Sequence, residues 1–466
     1  MRMTALLALA VLLPAASPQE ERVFKAGAAA SNITPPLGEP IVGGWSPTPA
    51  GHIHDELHAR CLALDDGKTR LVFAICDNVG IPREVFDEAR KLVEKETGLP
   101  PANLLLSSTH THSATSARAE QLQGEYSKFL ARRIADGVRR ALNNLEPAKI
   151  GWGSAQAPEH LFNRRYFLKP GNPIPDPFGG QDKVLMNPGV GNPKVDRPAG
   201  PTDPEVSFLL VRAKAGRPIA LLANYSLHYV GGVPADHVSA DYFALFAGRI
   251  GELLGADKVE PPFVGIMTNG TSGDVNNIDV LGKPEKLPPY EKMRRVAHSV
   301  ADKVFQATEG VTYAEGATLG ARMKELVLAT RRPTPERVSR AKEVLERPKD
   351  AKPIHVREVA YARRALQLAE APEQVSVPIQ AFRIGPLGVA AIPFEVFTDI
   401  GLDIKKRTPL SKSFTISLAN GSYGYLPTPE HHQLGGYETW LGTNRVEVEA
   451  SRKITDCALE LLSELK

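Results

Sequence analysis

Short apolar runs and stretches of helical spacing alternate along most of this chain, and that rhythm limits the folds open to it. The runs at 23–33, 57–64, 70–77, 103–107, 150–155, 206–212, 219–227 and 262–267 read as strands. The stretches at 84–96, 126–145 and 240–254 read as helices, with Phe129, Ile134, Val138, Ala141 and Leu142 on the buried face of the second. The turn Asp65-Asp66-Gly67-Lys68 predicts that the second and third strands pair. Such an order predicts an α/β fold, a mixed sheet flanked by helices, in a single large domain. Two segments break the rhythm. Residues 169–204 are dense in Pro, Gly, Asn and Asp, and read either as a cover over a site or as a surface excursion. Residues 334–368 read as a charged helical excursion, interrupted between Pro348 and Pro353, with solvated faces.

Composition removes several classes of function. The 466 residues carry 56 Lys+Arg against 53 Asp+Glu, a net charge of +3, which excludes an electrostatic nucleic-acid binder. Three cysteines cannot build a disulfide scaffold. Cys61 and Cys76 lie on neighbouring strands where one bridge is compatible with the pattern, and an odd thiol remains. Arg2, the apolar run at 5–13 and the small residues Ala15, Ala16 and Ser17 read as a signal peptide over 1–17. The expectation is an exported protein, secreted or periplasmic, whose mature domain spans 23–466. No later stretch is apolar enough for a transmembrane segment.

The candidate chemistry sits where apolar runs stop. Asn103–Leu106 feeds Ser107-Ser108-Thr109-His110-Thr111-His112-Ser113. A His-x-His occurs at zinc sites, at copper sites and by chance; the expectation is that the two imidazoles diverge, one toward a metal and one toward substrate. His228 ends a second run, where a lone histidine is otherwise a core residue. Glu395 ends the run 389–394 and opens a helix expected over 395–405, where a carboxylate also suits the helix terminus. Two imidazoles and a carboxylate at three strand ends form the donor set of a catalytic zinc site. The loop around Gly273, Asp274 and Asn276 offers backbone N–H groups to an anion or carbonyl. It lacks the Lys-Ser/Thr ending of a nucleotide-binding P-loop. Tyr423, Tyr425 and Tyr437 stand in flexible loops, where a phenol can bind a metal or donate to an oxyanion.

Taken in order, these motifs resemble the catalytic domain of the neutral/alkaline, non-lysosomal ceramidases. The matching pieces are Ala26-Gly27-Ala28 with Ile33-Thr34-Pro35, Thr109-His110-Thr111-His112-Ser113, Asn163-Arg164, Leu227-His228, Gly273-Asp274-Val275, Phe394-Glu395-Val396-Phe397-Thr398, and Tyr425-Leu426-Pro427-Thr428 with Tyr437-Glu438. The resemblance implies a zinc hydrolase that cleaves the amide of ceramide. It implies His110, His228, Glu395 and Tyr425 as Zn2+ ligands and His112 as general base and acid, with Arg164 and Tyr437 steadying the substrate oxygen. Two departures are visible. Asn276 stands where the family carries a serine, and the sequence ends at Lys466 without the family's immunoglobulin-like C-terminal domain. The expected function is therefore a zinc-dependent amidohydrolase of a small-molecule or lipid amide. The alternatives are a metal hydrolase of another amide or ester, on a sugar or peptide, and a secreted non-catalytic binding protein with the same shell.

Overall fold

Leu62 and Leu64 face one side of the strand His58–Asp65, Cys61 and Ala63 face the other, and all four are fully buried. A strand with protein on both faces must lie inside a layered structure. The computed structural model describes residues 22–44, 46–115, 117, 124–348 and 350–466. The signal peptide expected over 1–17 lies outside the described residues.

The central layer is an eight-stranded mixed sheet. From one edge to the other its strands are Val264–Asn269, Pro218–Tyr225, Glu205–Ala213, Glu146–Gln156, Lys25–Asn32, His58–Asp65, Arg70–Cys76 and Leu104–Ser108. Only the outermost pair at each edge is parallel. Helices Arg83–Thr97 and Glu125–Asn143 cover one half of the outer face, and Asp241–Leu253 and Glu291–Thr308 cover the other. The predicted hairpin forms, with Cys61 opposite Ala74 and Cys76 opposite Ala59. That register sets the two cysteines two residues apart; all three thiols are free and buried.

The inner face meets a second sheet, Leu319–Ala329, Gln374–Ile384, Leu387–Ala391 and Lys412–Ile416, of which local sequence patterns mark only the run 389–394, and that strand ends at Ala391. Phe73 of the large sheet meets Phe382 of the small one edge-on, with ring centroids 5.2 Å apart. Helices Thr398–Arg407 and Ala450–Ser463 pack on the outside of the small sheet. The α/β class holds, in four layers. Among the described residues no helix is long and apolar enough to cross a membrane.

Three local expectations need correction. Phe129 is 41% exposed, because it sits at the edge of the amphipathic stripe rather than on it. Glu395 does not begin a helix; it lies on the two-residue strand Glu395–Val396, and the helix starts at Thr398. The helical pair Pro335–Glu346 and Glu358–Glu370 is not merely solvated. Ala341, Val344, Ala362 and Ala365 pack between the helices, and Phe178 of the long loop packs against them with its ring 5.8 Å from Tyr361.

Candidate metal centre

The parallel edge strand Leu104–Ser108 delivers His110 in a left-handed conformation, φ +78°, which an L-residue adopts only when held there. Two contacts hold it. Its backbone N–H donates to the Asn78 carbonyl at 2.9 Å, and its Nδ1 lies 2.6 Å from the Val79 carbonyl. Next to the opposite edge strand, the chain leaving Pro218–Tyr225 carries His228, whose Nδ1 lies 3.0 Å from the Ser272 carbonyl. A carbonyl only accepts, so each Nδ1 bears a proton, and in the neutral ring each Nε2 carries a lone pair.

Those two Nε2 atoms face each other at 3.1 Å. Glu395 Oε2 stands 3.2 Å from His110 Nε2 and 3.9 Å from His228 Nε2, buried and with no hydrogen-bond donor among the described residues. Three atoms able to offer lone pairs thus converge on one small volume, the arrangement that a cation would stabilise. Ligands held about 2.0–2.1 Å from a tetrahedral zinc lie about 3.3 Å from one another. The donor set fits the ion. Burial, reinforced by His110 and Arg164, also holds the His228 imidazole well below its ordinary pKa, so it is neutral and available as a ligand.

Tyr425 arrives through strand pairing. It is the register partner of Glu395 between the parallel strands Glu395–Val396 and Tyr425–Leu426, and it is buried. The Arg164 guanidinium lies over its ring at 5.2 Å, and the Tyr437 ring is 5.7 Å away. The four residues that the resemblance implies as ligands therefore share one place, although 315 positions separate His110 from Tyr425 in the chain numbering.

His112 does not diverge from His110. Residues i and i+2 of an extended chain share a face, and His110 is in any case not extended. His112 Nε2 lies 3.1 Å from His110 Nε2, as close as His228 does. What separates His112 from the other two is its setting. It is half-buried, its ring stacks on Tyr229 at 3.7 Å, and its backbone presses on Gly43 so closely that a Cβ there would fall 1.9 Å from the His112 carbonyl oxygen. Burial, followed by His110, keeps its imidazole well below the usual range.

Arg164 is buried and donates from Nε to Glu438 Oε1 at 2.8 Å and from Nη1 to His228 Nε2 at 3.3 Å. Its Nη2 meets no conventional acceptor among the described residues. Glu438, wholly buried, also receives Arg165 Nη1 at 3.2 Å. The motifs assign no role to Glu438. The signal available in the sequence is its place directly after Tyr437, and the two arginines it binds lie more than 270 positions away.

The Gly-Asp-Val segment forms the wall behind the centre. The Gly273 N–H donates to the Val396 carbonyl at 2.8 Å, and a Cβ at this position would fall 2.6 Å from the Glu395 backbone carbonyl oxygen. Asp274 Oδ1 accepts from Thr398 N and Oγ1, each at 2.9 Å, and Oδ2 accepts from Asn163 Nδ2 at 3.0 Å. Asp274 ties together the elements that carry Arg164 and Glu395. Asn276 Nδ2 donates to Asn187 Oδ1 at 2.7 Å, and its Oδ1 accepts from Ile278 N at 3.0 Å. Asn187 belongs to the long loop 169–204, and Asp182 of that loop accepts from Trp440 Nε1 at 2.8 Å. The loop thus lines the site. A second group able to hold a cation, Asp274, Asp399 and His431, is less open to one: both Asp274 oxygens are engaged and the Asp399 side chain is 42% exposed.

Asp241 positions the chain that carries Tyr229. Its carboxylate accepts from the N–H groups of Val230 at 3.0 Å, Gly231 at 2.8 Å and Tyr242 at 2.6 Å. Burial nonetheless pushes its carboxyl up to about 6. A carboxyl raised in the folded state contributes stability below its unfolded value near 3.8, and that contribution is lost as pH rises through about 6. The unfolding free energy should therefore fall between pH 4 and 7, by about 3 kcal/mol for this group. Asp274, also pushed to about 6, adds a second share. Denaturant titrations of Asp241→Asn across that range should show a flatter profile than wild type; an unchanged slope would remove Asp241 as its source.

No protein-family model matches the chain. Among solved structures it is similar to neutral ceramidase from Pseudomonas aeruginosa, with a TM-score of 0.70 and 16% identity over 96% of this chain and 75% of the other. It is similar also to a ceramidase complexed with C2, with a TM-score of 0.70 and 15% identity over 95% and 75%. The likeness implied by scattered short motifs therefore extends to the architecture of nearly the whole chain, which is built on the neutral-ceramidase fold.

Proposed function

We propose that this chain is a zinc-dependent amidohydrolase that cleaves an N-acyl, ceramide-like amide. One observation carries the reading: His110 Nε2, His228 Nε2 and Glu395 Oε2, all able to act as metal ligands, converge within 3.1–3.9 Å of one another. His110, His228, Glu395 and Tyr425 would hold the ion. Zinc bound there supplies Lewis-acid chemistry, polarising a carbonyl and lowering the pKa of water toward about 7. The chain's own residues do the rest. His112, neutral at pH 7 and more open than the other two imidazoles, takes a proton from the attacking water and returns it to the leaving nitrogen. Arg164, oriented by Glu438, presents Nη2 to the substrate oxygen, with Tyr437 beside it. Export, with loss of residues 1–17, belongs to the same proposal, and the mass of the mature N-terminus checks it.

Metal analysis of the purified protein, together with turnover of N-acyl lipid, sugar and peptide amides before and after chelation, tests the reading. Activity that survives complete metal removal would sink it. A protein that binds zinc but cleaves only sugar or peptide amides would keep the chemistry and overturn the lipid.

Asn276 supplies the specificity test. An amide cannot act as a nucleophile, and this one is committed to Asn187 and Ile278. Asn276→Ala should keep zinc and cost about 1 kcal/mol, because it loses two part-buried hydrogen bonds whose partners, exposed Asn187 and half-buried Ile278, can turn to water. Asn276→Ser restores the family pattern and should raise ceramide hydrolysis above wild type. Equal turnover by both would mean that this position does not govern lipid specificity.

A further inference from the structure

The helical pair from Pro335 to Glu370 carries nine basic and six acidic residues, and the turn that joins its helices, 347–357, holds four of the basic residues against one acidic. The same segment exposes apolar side chains. Of ten large hydrophobic residues exposed among those described, four fall here: Leu345, Ile354, Val356 and Val359. Val356 is 87% exposed, Ile354 47% and Val359 42%, all in the turn between the two helices or at the first turn of the second.

This turn borders the metal centre. The His355 ring meets Trp440 edge-on at 5.3 Å, and the Arg357 guanidinium lies over the Tyr437 ring at 5.8 Å. Tyr437 in turn stands 5.7 Å from Tyr425. Exposed aliphatic residues among cations, backed by Tyr and Trp rings, have the composition of a segment that enters an anionic lipid interface. A second copy of the chain fits poorly, because a two-fold contact would set this basic face against itself.

We infer that the turn carrying Ile354, Val356 and Val359 docks the protein on an anionic membrane surface, with the metal centre beside the contact. The inference rests on the proposed function for its purpose, since a lipid amide would then be drawn from the layer the turn enters. Docking itself is measurable without any substrate.

The test is co-sedimentation of the mature protein with vesicles of phosphatidylcholine alone, or of phosphatidylcholine with phosphatidylserine. Wild type should bind the anionic vesicles more tightly than the neutral ones. Raising salt from about 0.1 M to 1 M, which shortens the screening length from about 10 Å to 3 Å, should weaken that binding. The variant I354S/V356S/V359S should bind about tenfold more weakly or worse, with turnover of a soluble short-chain N-acyl substrate unchanged. Lys352→Glu with Arg363→Glu, both exposed positions, reads the electrostatic half separately and stands in if the triple variant fails to fold. Three results would overturn the inference. They are no binding to either vesicle, equal binding by wild type and both variants, or self-association that the triple variant abolishes. Intact vesicle binding without turnover of any amide would instead overturn the proposed function alone.

Discussion

Alanine at His110 or His228 should strip the protein of most of its zinc and of its activity. Each imidazole points a lone pair at the same small volume because its other nitrogen is committed to a carbonyl, Val79 for His110 and Ser272 for His228. Removing either takes away one of three or four ligands, and sites of this kind do not retain metal on the remainder. His112→Ala should behave differently, keeping zinc while turnover drops by roughly two to four orders of magnitude, the effect of a lost acid–base group. Zinc content by elemental analysis, measured beside turnover in the three variants, separates the outcomes. The geometry makes this a real contest, because His112 Nε2 is as near to His110 Nε2 as His228 is. Equal zinc loss in all three variants would place His112 among the ligands and leave the acid–base role to another group.

Glu438→Ala should be among the most destabilising single changes in the protein, at about 3–5 kcal/mol. The carboxylate is wholly buried and receives both Arg164 and Arg165, neither of which can shed its charge when its partner is gone. Turnover should fall as well, because Arg164 is aimed beside His228 by that contact. Glu438→Gln preserves the shape and some hydrogen bonding, and should recover part of the stability but little of the rate. Denaturant unfolding of the two variants checks the claim, and a cost below about 1 kcal/mol for the alanine variant would contradict it.

Much of the frame is legible in the sequence. The hairpin around Asp65-Asp66-Gly67-Lys68, the helix that stops at Gly98, and the sheet strands ending near His110 and His228 follow from local periodicity and turn chemistry. What periodicity misses is non-local. The second sheet is assembled from strands separated by the helical pair, and nothing within any one strand announces its partners. Glu395 reads as a helix start because a carboxylate commonly stands there. Its actual state is a two-residue strand, made only by pairing with Tyr425.

The candidate metal centre divides along the same line. The sequence by itself determined the residue types and their places: imidazoles and a carboxylate where apolar runs end, with a tyrosine and an arginine in the order shared with the ceramidases. Tertiary structure alone decided how they meet. The left-handed turn at His110 brings His112 alongside rather than away, and the carbonyls of Val79 and Ser272 select the nitrogens that face inward. Glu438, which reaches back more than 270 positions to bind Arg164 and Arg165, belongs wholly to the fold. The physical reason is common to these cases. A strand's periodicity is a property of neighbours in sequence, whereas the proton on an imidazole and the burial of a charge depend on groups that only folding brings near.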